Sequence, residues 1–241
     1  MSISTPPPPA PPKKSGMGCL GCGCLVLALL AILFFGFIGA ACYMGYNKVL
    51  AFTTTAPVSV PSSNSTDDVY QAARQKLADF DHDVKNHQAA TIQLSGDEIN
   101  ALISHNPDIA KNNIQVFVSL TDNEARMQAN FPTGTLSHGL IPGRYINFDT
   151  SFQVHFDSTT KSINLTFDTL KFGGKVLLGS EAGSDQNASS SAFNESFMRS
   201  FTPAFNQSFN NGIRKSPDGA ALLDEAKSIE IKDGQLVIST Q

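Results

Sequence analysis

With 241 residues, and 17 Lys and Arg against 21 Asp and Glu, the chain carries a formal charge of −4 and lacks a broad cationic surface for phosphates, which excludes nucleic acid as a partner. All four cysteines fall at or before position 42, so the remainder folds without a disulfide, and its length supplies enough apolar surface to do so.

Pro6, Pro7, Pro8, Pro9, Pro11 and Pro12 lack the N–H groups a helix needs, so residues 1–14 are predicted to be a disordered, proline-rich cytoplasmic tail. Residues 15–47 then run uncharged and strongly apolar, without one Asp, Glu, Lys, Arg or His. A bilayer core takes about 20 apolar residues at 1.5 Å rise each. Residues 25–46 supply that length, so 15–47 reads as a single transmembrane helix with the lipid bilayer as its partner. Lys13 and Lys14 precede the run and only Lys48 follows closely. Basic flanks are retained in the cytoplasm, which places the N-terminus inside and the C-terminal domain outside the cell membrane.

Two alternatives stay open on these residues. Gly39, Ala40 and Ala41 before Cys42 also describe a cleaved signal, or a degenerate lipobox with an acylated Cys42. Cys19, Cys22 and Cys24 invite thiolate chelation, but three thiols without a histidine suit close packing or reversible acylation better, and no metal site is expected.

Residues 48–65 are rich in Thr, Pro and Ser, with Pro57 and Pro61 blocking a helix, and read as a tether that lifts the domain 66–241 off the membrane. Ser65 and Asp68 resemble a capping box, and Val69, Ala73, Leu77, Phe80 and Val84 recur on one helical face over 66–86. A second box, Ser95 with Glu98, opens a short helix buried through Ile99, Leu102 and Ile103 and stopped at Pro107.

After it the period changes to two. Residues 114–118 and 125–131 form a hairpin about a turn at 121–123. The strand 145–157 turns Ile146, Phe148, Phe152, Val154 and Phe156 one way and polar residues the other, then pairs with Ile163, Leu165 and Phe167 across a turn at 158–161. Between the hairpins, 132–144 is an irregular loop, and 179–191 is a mobile loop by composition.

Phe193, Phe197, Phe201, Phe205 and Phe209 then recur every four residues, with Pro203 expected to kink or divide their helix. They read first as the helix half of the core and second as the lining of an apolar ligand cavity. Ser216 and Pro217 start a last helix, and Asp233-Gly234 between alternating apolar residues predicts a closing hairpin. The predicted fold class is α+β: an N-terminal transmembrane helix, then an antiparallel meander sheet covered on one face by amphipathic helices.

Leu94-Ser95-Gly96-Asp97-Glu98-Ile99-Asn100-Ala101-Leu102-Ile103 and Ile229-Glu230-Ile231-Lys232-Asp233-Gly234-Gln235-Leu236, in this order of elements, resemble the YpmS-like family of bacterial single-span membrane proteins over most of 66–241. The resemblance implies an anchored α+β domain outside the cytoplasmic membrane that handles lipid or cell-envelope components.

Catalytic signatures are missing. His82, His87, His105, His138 and His155 form no zinc-protease pair, no Gly-x-Ser-x-Gly elbow occurs, and no phosphate-cradling glycine loop precedes a helix. His82 among Asp79, Asp81 and Asp83 reads as a solvated helix face rather than a cation site. Asn64, Asn164, Asn187, Asn194 and Asn206 match the glycosylation pattern, as Asn- and Ser-rich chains do by chance. The expectation is a non-enzymatic, cofactor-free envelope protein acting as a structural or assembly partner, with an apolar-ligand module for a lipid as the alternative.

Overall fold

The computed structural model describes residues 52–62, 66–136, 143–178 and 188–240. The proline tail, the apolar run 15–47, all four cysteines, Ser65 and His138 lie outside them. No helix among the described residues is long and apolar enough to cross a membrane.

Helix α1 (Asp67–Lys85) buries Ala73, Leu77, Phe80 and Val84. Its N-cap is Thr66, without a side-chain bond, so helix entry there rests on Asp67 and Asp68 at the positive end of the dipole. Strand β1 (Thr91–Ser95) leads into α2 (Gly96–Ser104), where Ser95 and Glu98 form the reciprocal capping box. Pro107 ends that run and also begins α3 (Pro107–Lys111), whose first N–H groups bond to Asn106.

Five strands follow as an antiparallel meander: β2 (Gln115–Thr121), β3 (Glu124–Pro132), β4 (Tyr145–Asp157), β5 (Ser162–Phe172) and β6 (Lys175–Leu178). A single helical turn, α4 (Thr133–Leu136), opens the predicted loop after β3. Helix α5 (Ala188–Lys215) runs through Pro203 without dividing, and it already includes residues 188–191, which composition assigned to a loop. Helix α6 (Pro217–Glu225), capped by Ser216, and strands β7 (Ala226–Lys232) and β8 (Gln235–Thr240) complete the chain.

The expectation of one helix-covered sheet needs correction. The closing hairpin does not extend the meander; β8 pairs with β1, giving a second sheet of order β1-β8-β7. Register puts Ile92, Ile238 and Ile229 in one row and Leu94, Leu236 and Ile231 in the next, so one face of this small sheet is apolar. That face packs on the β2–β4 part of the meander, while α5 covers β5 and β6. The core therefore lies between two sheets at one end and between sheet and helix at the other.

Beyond Phe167 the alternation in β5 changes parity, because Thr169 opposes Ser151 while Phe167 opposes Phe152, leaving Asp168 as a bulge. Leu170 and Phe172 thus return to the core face with Ile163, Leu165 and Phe167, all of them buried.

Helix-borne asparagines close two sheet edges. Strand β6 pairs with β5 only from Leu170 to Phe172, so among the described residues no strand lies beside the outer edge at Ile163 and Leu165. Asn210 accepts from the Ile163 N–H at 2.8 Å and donates to its carbonyl at 2.7 Å, and Asn206 does the same at Leu165 at 3.0 and 3.2 Å. Four residues of helix advance about 6 Å and two of strand about 6.6 Å, so the helix repeat matches the edge. On edge strand β2, Asn100 of α2 takes both backbone groups of Val118, at 2.8 and 2.7 Å. Open edges recruit other chains, and these amides occupy them.

Candidate functional site

The polar face of the meander is where the chain leading from the apolar run is attached. Thr54 and Tyr145 exchange two backbone bonds of 2.8 Å, a one-residue antiparallel bridge. Asn147, buried on β4, donates to Thr54 Oγ1 at 2.7 Å and to the Ala56 carbonyl at 3.2 Å, and accepts from the Val58 N–H at 3.1 Å. Asn130, buried on β3, donates to the Val58 carbonyl at 3.0 Å and to Gln115 at 2.7 Å. Arg144 donates through Nη2 to the Thr53 carbonyl at 2.8 Å.

Residues 52–58 are thus bound across β4 and β3, not extended away from them as the tether reading expected. The sequence signal was Asn130 and Asn147 at wet-face positions of strands, where asparagine is otherwise disfavoured. Phe52 anchors the start. It is buried, with its ring 5.4 Å from that of Phe172 and the Lys175 ammonium 5.4 Å from its centroid.

Gly173 makes this approach feasible. Its φ is +56°, and a Cβ there would stand 2.2 Å from the Phe52 carbonyl oxygen. Gly173→Ala is expected to cost about 1–3 kcal/mol through backbone strain and to release residues 52–58 while the core stays folded. Hydrogen exchange checks this: the Thr54 and Val58 amides should lose protection while the Leu165 amide keeps it.

The predicted aromatic stripe divides between the core and residues without described side chains. Phe201, Phe205 and Phe209 are buried, with centroids 5.5 Å apart for the first pair and 6.1 Å for the second, and Phe167 of β5 lies 5.3 Å from Phe205 and 5.6 Å from Phe201. Phe193 and Phe197 belong to α5, but their side chains lie outside the description. Phe209 also borders a hollow of about 80 Å³ where the two sheets meet, lined by Ile99, Met127, Phe152, Leu165 and Ile231 among other apolar residues. Small-molecule pockets run to about 300–1,000 Å³.

The polar face carries one close ion pair among the described residues of β3 and β4. Arg126 reaches Asp149 with Nε and Nη2 at 2.9 and 2.8 Å. Those hydrogen bonds, against an opposing push from burial, hold the Asp149 carboxyl below its ordinary 3.8. At the first turn of α2, burial works to raise the Glu98 carboxyl, but Lys76 at 2.6 Å and the Ser95 N–H outweigh it and leave the group below its ordinary 4.5. Both carboxyls bind protons more weakly folded than unfolded. Their contribution is therefore complete above the unfolded values and is lost as pH falls through the folded ones. The urea midpoint should be flat from neutral to about pH 5 and fall below about pH 4. Arg126→Gln should flatten part of that acid limb.

One trio resembles catalytic machinery and fails on geometry. His105 Nε2 lies 3.0 Å from Asp67 and its Nδ1 3.3 Å from Ser104 Oγ, with the ring stacked 4.0 Å from Tyr70. Yet Ser104 Oγ donates to the Ala101 carbonyl at 3.0 Å, and Nδ1 lies 2.9 Å from that same oxygen. The hydroxyl proton therefore points at backbone, and no base draws it off. On α1, Asp81 pairs with Lys85 and Asp79 accepts from Gln75. Among the described residues no three His, Cys, Asp or Glu converge as a metal would require. Asn206, one of the glycosylation-pattern residues, is engaged at the β5 edge.

Comparison with protein-family models, with curated proteins and with solved structures finds no match.

Proposed function

We propose that this chain is a single-pass membrane protein whose α+β domain lies outside the cytoplasmic membrane and works without catalysis or cofactor, as a structural or assembly partner in the cell envelope. The observation that carries the reading is the attachment of residues 52–58 to the meander through Thr54, Asn130 and Asn147. Such an attachment makes anchor and domain one mechanical unit, which suits a protein that holds a surface in place. The uncharged run 15–47 and its basic N-terminal flank support the anchor and its direction. The resemblance of 94–103 and 229–236 to YpmS-like proteins points the same way.

A second reading, a lipid-binding module, is favoured by one observation: the hollow between the sheets is bordered by apolar side chains. Its size argues against a long acyl chain in this conformation.

Two measurements test the proposal. An enzymatic reporter fused after Gln241 should be active only outside the cytoplasm; activity inside overturns the topology. Solvent extraction of the purified protein followed by mass spectrometry should release only the lipids of its annular shell. A stoichiometric lipid that Met127→Trp, which fills the hollow, removes selectively would replace the structural reading with the binding one.

A further inference from the structure

We propose that the end of the meander formed by the start of β4, the end of β5 and the start of β6 rests on the anionic headgroups of the bilayer that holds residues 15–47. This rests on the membrane reading of that run.

Covalent reach comes first. Residue 46 closes the apolar stretch and Phe52 is the first described residue, so six peptide steps of at most about 3.6 Å separate the membrane from the folded domain by no more than about 22 Å. Had 48–65 been a free stalk, the reach would be about three times longer. The attachment of 52–58 removes that slack, because the chain is held at Phe52, Thr53 and Thr54 by Phe172, Arg144 and Tyr145.

Orientation follows from where Phe52 sits. It meets the sheet at the β5–β6 turn, beside Gly173 and Lys175. In an antiparallel meander the starts of β2, β4 and β6 and the ends of β3 and β5 share one end. That end therefore faces the anchor, and the turns after β2 and β4 face away.

Charge agrees. Among the described residues at the near end (52–58, 113–116, 130–136, 143–149 and 170–176), Arg144, Lys171 and Lys175 are basic, and the one acidic residue, Asp149 opposite Lys171, is paired with Arg126. The far turns carry Asp122, Glu124 and Asp157 against Lys161. A negatively charged surface attracts the first end and repels the second, over a distance set by salt.

The test uses the full chain, with Cys19, Cys22, Cys24 and Cys42 changed to Ser, in phosphatidylcholine vesicles with and without phosphatidylglycerol. A fluorophore is placed on Thr55→Cys or on Ser158→Cys, both exposed positions, and a quencher on the lipid headgroup. In anionic vesicles the label at 55 should be quenched at least about threefold more than that at 158. The difference should shrink on adding Lys171→Glu with Lys175→Glu, and in about 1 M salt, where the screening length falls to about 3 Å. A chain that floats with the vesicles but quenches equally at both labels, or at neither, overturns the docking and leaves the anchor intact. A chain that does not float overturns the anchor and the docking together.

Discussion

Phe209→Ala should lower the unfolding free energy by about 3–5 kcal/mol, measured as the shift in urea midpoint at unchanged slope. Phe209 is fully buried, stacks on Phe205 at an interplanar angle of 19°, and borders the 80 Å³ hollow. Truncation removes a ring's worth of contacts and merges the space left with an existing void, so the neighbours have little to collapse onto. Against a typical total of about 5–15 kcal/mol, this single change brings the protein to the margin of folding. Phe209→Leu should cost clearly less, since it retains most of the volume. If both variants cost under about 1 kcal/mol, the aromatic stripe is not a packed element of the core.

Asn100→Leu should cost about 2–4 kcal/mol, although leucine is similar in volume and more apolar. Asn100 is 2% exposed and answers both the N–H and the carbonyl of Val118. Leucine leaves two buried backbone groups without partners on the outer side of an edge strand, where no other described strand pairs with it. Asn100→Asp isolates the donor from the acceptor. The carboxylate still accepts from the Val118 N–H, but its second oxygen then faces the Val118 carbonyl, and the charge is buried. Protonation restores an O–H donor, so the gap between wild type and Asn100→Asp should narrow as pH falls. A gap that is constant from neutral pH to about pH 4 would mean that the amide's hydrogen bonds are not what matters there.

Legibility differed from element to element. The Ser95 and Glu98 capping box, the pairing of 115–121 with 124–132, and the Asp233-Gly234 hairpin, with φ of 52° and 70°, could be read directly because each is set by residues within a few positions of one another. Strand β5 was legible only to Phe167. Past it the bulge at Asp168 shifts parity, and a rule of strict alternation loses the strand where its last residues return to the core. Strand β6 escaped for a related reason: four residues after two glycines carry too little pattern to stand apart from a loop.

Of the candidate site, the aromatic stripe was visible as a spacing, whereas the attachment of 52–58 was not. Its donors and acceptors sit 72 to 93 positions apart, on asparagines that a local reading assigns to solvent. The same holds for Asn100, Asn206 and Asn210, whose role depends on which strand edge lies opposite.

By itself, then, the amino-acid order determined the elements: their types, most of their ends, the face each buries and the uncharged run ahead of them. Periodicity, caps and turn residues act through neighbours in the chain, and that is enough for local structure. The tertiary structure alone decided that β8 crosses to β1 to make a second sheet, that asparagine amides stand in for missing strands, and that the segment after residue 51 lies on the meander. Each of these is a contact between distant residues, chosen by which backbone groups are left unpaired once the core has closed.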